Sequence, residues 1–95
     1  MRDYELVVVI SPEVADDDVP STIEKVNQLV TTRGGAILET DHWGKRRLAY
    51  PIDNLREGNY VLTRFKLEPK AVAELEASLR MAGEILRHLV VRLGS

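Results

Sequence analysis

Apolar positions along the chain change spacing several times, and each change marks a new element. In "YELVVVI" (4–10), Tyr4, Leu6, Val8 and Ile10 alternate with Glu5, Val7 and Val9. Period two with β-branched enrichment predicts a strand. Val19, Ile23, Val26 and Val30 then fall at helical spacing, with Leu29 widening the stripe. Pro20 suits the first turn, where backbone N–H groups lack an intrahelical acceptor. Asp16 or Asp17 is the expected N-cap, and Gly34-Gly35 the expected stop. Residues 36–52 predict a long strand with a bulge near Gly44, while Pro51 favours an edge or a strand end. "DNLREGN" (53–59) predicts a hairpin loop, and "YVLTRFKL" (60–67) the returning strand. Val61, Thr63, Phe65 and Leu67 form its apolar face, against Arg64 and Lys66. Pro69 opens a second helix with Val72, Leu75, Leu79 and Ala82 in its stripe, closed by Gly83. "ILRHLVVRL" (85–93) predicts a fourth strand. No linker, low-complexity segment or tandem repeat interrupts this series.

The order β-α-β-β-α-β defines an α+β fold, the ferredoxin-like split βαβ sandwich. Two right-handed βαβ halves give a four-stranded antiparallel sheet with both helices on one face. The chain is expected to be a single domain over 1–95. The other sheet face is uncovered. With Leu86, His88 and Val90 turned to the helices, Ile85, Arg87, Leu89 and Val91 would share the open face with Val7 and Val9. An apolar patch rimmed by arginines usually marks an interface.

Composition narrows the chemistry. Hydrophobic residues are 44% and charged residues 29%, ordinary for a folded domain. The absence of cysteine removes disulfides, thiol nucleophiles and thiolate metal sites. No apolar run is long enough to cross a bilayer, and the start is unlike a signal peptide. A cytoplasmic protein without a membrane partner is expected. Net charge is −2, which argues weakly against nucleic acid. The charge is sorted, however. Glu13, Asp16, Asp17, Asp18 and Glu24 occupy one cation-free stretch, and Lys45, Arg46 and Arg47 another without carboxylates.

Catalytic and metal chemistries find little support. His42 and His88 are the only histidines and lack a converging ligand set. The Asp16-Asp17-Asp18 run has none of the spacing of a calcium loop and suits helix capping. Ser11, Ser21, Ser78 and Ser95 carry no nucleophile motif, and Gly34-Gly35 follows a helix where a phosphate loop would precede one. No enzyme activity, metal or cofactor is expected.

"HWGKRRLAYPI" (42–52) is different. Arginine binds phosphate bidentately and stacks on bases, while Trp43 and Tyr50 offer stacking surfaces. Consecutive cations on a strand project to both faces, so they are not one solvated ladder. The plain alternative is a charged edge that guards against aggregation. Ferredoxin-like domains also serve as small-molecule regulatory modules and acylphosphatase-like enzymes. The loop after the first strand, "SPEVADDD", is acidic and repels phosphate, which disfavours the last.

"MRDYELVVVI", "WGKRRLAYPI", "EGNYVLTRFKLE" and "ILRHLVVR", in this order and spacing, resemble the S6 family of bacterial small-subunit ribosomal proteins. The resemblance runs from Met1 to about Arg92. Its pieces are M-R-x-Y-E, W-G-x-R-x-L-A-Y-P-I, and a V/I-L/I-R-x-x-V-x-R pattern near the end. It implies the same fold and a non-catalytic part in assembly. It further implies binding to the central domain of 16S ribosomal RNA as a heterodimer with small-subunit protein S18, and no DNA partner. Arg2, Tyr4, Trp43, Arg46, Leu48, Ala49, Tyr50, Pro51, Ile52, Arg87 and Arg92 match the family pattern. Lys45 and Arg47 stand where the family often has a cation or polar group. The expected RNA contacts are Arg2, Lys45, Arg46, Arg47, Arg80 and Arg87. The expected partner contacts are Val7, Val9, Trp43, Leu89 and Val91. Family members often carry a C-terminal tail that this sequence lacks.

Overall fold

Strand alternation decides what the sheet buries. The computed structural model describes residues 1–52 and 54–94. In chain order the elements are β1 (Arg2–Ile10), α1 (Val19–Thr31), β2 (Ala36–Ile52), β3 (Leu55–Leu67), α2 (Val72–Met81) and β4 (Ile85–Arg92). The sheet order is β2-β3-β1-β4 with every neighbouring pair antiparallel, the ferredoxin-like α+β arrangement expected from the sequence.

Tyr4, Leu6, Val8 and Ile10 of β1 and Val61, Phe65 and Leu67 of β3 point to the helices. There they meet Val19, Val26 and Val30 of α1 and Leu75 and Leu79 of α2 in one cluster. Tyr4 stacks on Phe65 with centroids 5.5 Å apart. Burying each large side chain contributes about 1.5–3 kcal/mol, so this layer supplies most of the driving force. β1 is central. It is tied to β4 at both ends, where Ser11 N–H donates to the Glu84 carbonyl and Leu93 N–H to the Asp3 carbonyl, each at 2.8 Å.

Four expectations need correction. The N-cap is neither Asp16 nor Asp17. These residues close a short 3-10 turn (Asp16–Asp18), so the helix starts later, and Asp18 precedes it without a side-chain cap bond. Instead the Asp18 carbonyl accepts from the Ser21 and Thr22 hydroxyls. The stretch 53–59 is largely strand, because β3 begins at Leu55 and Glu57, Gly58 and Asn59 pair with Arg47, Arg46 and Lys45. Asp53 lies outside the described residues. Ile85 does not share the open face. A bulge at Val9/Ile10 leaves Leu86 without a partner on β1 and pairs Ile85 with Ile10, which turns Ile85 into the core. Ala82 is not in the second helix, which ends at Met81.

The Gly44 bulge is present. The β2–β3 register shifts between His42 and Gly44, and Gly44 has φ +89°. Such a left-handed conformation is disfavoured for side chains with a Cβ. Gly34, at φ +83°, lies just beyond α1.

Candidate nucleic-acid interface

β2 is an edge strand, and its register from Gly44 to Arg47 sorts the basic run. Gly44 faces Tyr60, Lys45 faces Asn59, Arg46 faces Gly58 and Arg47 faces Glu57. Alternation therefore sends Arg46 to the open face and Lys45 to the helix side. There the Lys45 ammonium lies 4.0 Å from the Asp16 carboxylate. The acidic turn thus lies against one of the three cations. Arg46 instead lies over the Trp43 ring, 5.8 Å from its centroid. The Trp43 indole N–H donates to Asp41 Oδ2 at 3.0 Å.

The hairpin beyond Gly44 runs past the end of β1, whose last partner on β3 is Asn59. It returns toward β4, because Arg87 Nη1 donates to the Tyr50 hydroxyl at 3.3 Å. Gly58 permits the approach. A Cβ there would stand 2.5 Å from Val9 Cγ1 and 2.9 Å from the Ile10 carbonyl oxygen. Leu48 is buried while Tyr50 is exposed, which leaves the phenol ring free apart from its hydroxyl.

The open face is graded from end to end. At the start of β1, Asp3 pairs with Lys66 at 3.0 Å and Arg64 bridges Glu5 and Glu39, so both cations there are paired and the five groups carry a net charge of −1. The middle is apolar. An open depression of about 190 Å³ is lined by Val7, Val9, Tyr60, Arg87, His88 and Leu89. Leu89 and Val91 are 54% and 41% exposed, whereas Val9 is only 3% exposed and forms the floor. At the far end come Arg46, Arg87, Trp43 and Tyr50. Among the described residues Arg46, Arg47, Arg56 and Arg87 make no ion pair, while Lys25, Arg33, Lys45, Arg64 and Lys66 do. The net −2 of the chain therefore conceals a local cationic end.

The expected site residues do not all converge. Arg46 and Arg87 share one end of the open face. Arg2 pairs with Leu67 at the opposite end of β1, about 23 Å away at ordinary strand rise. Arg80 sits in the last turn of α2, behind the sheet. Trp43 is two strands from Val7 and Val9 and three from Leu89 and Val91, about 10 and 14 Å at ordinary strand spacing. Asp41, Arg56 and Tyr60 were not singled out from the sequence. Tyr60 was foreseeable, since assigning Val61 to the core places its neighbour on the open face.

No group of three or more His, Asp or Glu side chains converges among the described residues. No helix there is long and apolar enough to cross a membrane. His88 Nε2 lies 3.5 Å from Glu76 on α2, on the helix side as expected.

Comparison with known proteins decides the family. The family model described as ribosomal protein S6 matches residues 3–92. The chain belongs to the ribosomal protein S6 family. The small ribosomal subunit protein bS6 of Desulforamulus reducens is 44% identical over 94 residues, covering 99% of each chain. That of Moorella thermoacetica is 42% identical over 93 residues, covering 98% of this chain and 95% of the relative. The crystal structure of 30S ribosomal protein S6 from Thermotoga maritima superposes with a TM-score of 0.91 at 30% identity, over 97% of this chain and 87% of that one. S6 proteins are structural, non-catalytic components of the small ribosomal subunit, which agrees with the lack of catalytic motifs in this sequence.

Proposed function

We propose that this S6 protein binds the central domain of 16S ribosomal RNA together with small-subunit protein S18, as a heterodimer, in the cytoplasm. The carrying observation is the grading of the open sheet face, where uncompensated Arg46 and Arg87 border an exposed apolar patch. The arginines, joined by Arg47 from the other side of the hairpin, take RNA phosphates. The partner covers Val7, Leu89 and Val91 over the floor made by Val9. Lys45 contributes less because Asp16 shares its charge. Arg2 and Arg80 contact a second RNA segment, and Trp43 stands at the edge between RNA and partner. A protein with two small contact areas of different character need not be basic overall.

The test is electrophoretic binding to a 16S central-domain fragment, with and without S18, at two salt concentrations. Salt-sensitive binding that requires S18 is the expected result. No binding by folded protein under either condition overturns the reading. Attention would then turn to a small-ligand site in the ≈360 Å³ depression between the helices, lined in part by Val26, Leu29, Ala82 and Ile85.

A further inference from the structure

Trp43 is the only tryptophan of the chain, and its setting is unusual for a solvent-facing aromatic. The bulge at His42/Gly44 leaves it without a partner on β3. Its side chain is held by two polar neighbours. Asp41 Oδ2 accepts the indole N–H at 3.0 Å, which sets the ring plane, and the Arg46 guanidinium lies over the ring at 5.8 Å. The indole is still 42% exposed. A planar aromatic held with a carboxylate at its edge and a cation over its face has the three elements that bind one splayed-out base: stacking, an edge acceptor and a charge for the phosphate.

We propose that Trp43, Asp41 and Arg46 form a receptor for a single unpaired nucleobase of RNA, with preference for guanine. The proposal rests on the RNA-binding reading above and specifies its ligand. The preference follows from donor count. The Asp41 carboxylate is ionised and only accepts hydrogen bonds. Guanine alone presents two adjacent donors on its pairing edge, the ring N1–H and the exocyclic amine. Adenine and cytosine place a ring acceptor beside the amine, and uracil flanks its one N–H with carbonyl oxygens, so each sets a lone pair against the carboxylate. The base stacks on the exposed indole, and Arg46 neutralises its phosphate. Asp41 makes no ion pair among the described residues, so no lysine or arginine competes for it.

The single tryptophan supplies the assay. Trp43 emission is followed while the protein is titrated with short uridine oligoribonucleotides carrying one central G, A, C or U. Anisotropy of labelled 16S central-domain fragment with S18 runs in parallel. The expected result is quenching strongest and tightest for the G oligonucleotide. Trp43→Ala should weaken fragment binding roughly tenfold, the usual loss of one base–aromatic stack. Asp41→Asn should keep oligonucleotide binding but erase the preference for G. Both side chains are exposed, so the variants fold; unchanged thermal midpoints check this. Fragment binding without any quenching by oligonucleotides overturns the base receptor and leaves the RNA reading standing. Quenching by S18 alone, with RNA inert, assigns Trp43 to the protein interface and overturns it equally. Failure of the fragment to bind at all removes the RNA reading itself.

Discussion

The three neighbouring cations of β2 should not be equivalent, and the difference is measurable. Arg46 and Arg47 make no ion pair among the described residues, while Lys45 lies 4.0 Å from the carboxylate of Asp16. A phosphate that displaces Asp16 from Lys45 gains little net charge neutralisation. Each phosphate contact steepens the dependence of log affinity on log salt by roughly 0.7–0.9. Replacing Arg46 and Arg47 by glutamine should therefore flatten the slope by about 1.4–1.8. Between 50 and 200 mM salt, the variant would then lose roughly sevenfold to twelvefold less affinity than the parent. Lys45→Gln alone should flatten the slope by less than half of one contact, about 0.3. Asp16→Asn should act in the opposite direction, freeing Lys45 and tightening binding at low salt. The assay is titration of the 16S central-domain fragment, with S18 present, across four or more salt concentrations. Equal slope changes for Lys45→Gln, Arg46→Gln and Arg47→Gln would refute the reasoning, as would weaker binding by Asp16→Asn.

Further predictions concern stability. Gly58→Ala should destabilise by about 1–3 kcal/mol in urea unfolding, since its Cβ meets Val9 and the Ile10 backbone at 2.5 and 2.9 Å. Leu75→Ala, at a fully buried position between α2 and the sheet, should cost about 2–5 kcal/mol. Leu89→Ala, on the open face, should leave unfolding nearly unchanged while weakening capture of S18. A backbone hydrogen bond at Glu84, and then the Lys25 ammonium 3.3 Å away, hold the Glu84 carboxyl below its ordinary value of 4.5. The stability this contributes is complete above that ordinary value and is lost as pH falls through the lowered one. Carboxyl NMR titration should show the depression, partly relieved in Lys25→Met and retained in a control such as Glu24→Gln.

Much of the framework was legible in the sequence because most strands bury one face only. The alternation of β1 and β3 named Tyr4, Leu6, Val8, Ile10, Val61, Phe65 and Leu67 correctly, and α1 showed its stripe. The misreadings occur where alternation carries no information. Residues 55–57 form a ribbon extending past the end of β1, so Arg56 and Glu57 have no core face to declare and resemble a loop. Ile85 changes face because a single unpaired residue, Leu86, inverts the register, and a strand pattern cannot reveal its own bulge. The aspartates before α1 have the composition of a cap but are spent on a separate turn. For the candidate interface, residue types were legible and arrangement was not. Arg46 and Arg87 are 41 positions apart in sequence and reach the same end of the open face only through the strand order. The division of labour between Lys45 and Arg46 depends on a turn that no local pattern connects to β2. The resemblance to S6 proteins supplied family and fold together, and composition, being slightly acidic, pointed the other way.

The central place of β1 has a consequence for how the chain is made. β1 is the first strand to leave the ribosome that synthesises it, and β4, which covers one of its two flanks, is the last. Before β4 emerges, the nascent chain can assemble β1, β2 and β3, but a row of β1 amides and carbonyls stays unpaired. The bonds from Ser11 to Glu84 and from Leu93 to Asp3 close that flank only once β4 is free. Contacts of such long sequence separation fold slowly, and an open central strand is exposed to neighbouring chains meanwhile. Completion of this sheet thus waits for its last strand, and the time between the emergence of β3 and that of β4 sets how long the unfinished edge is on view.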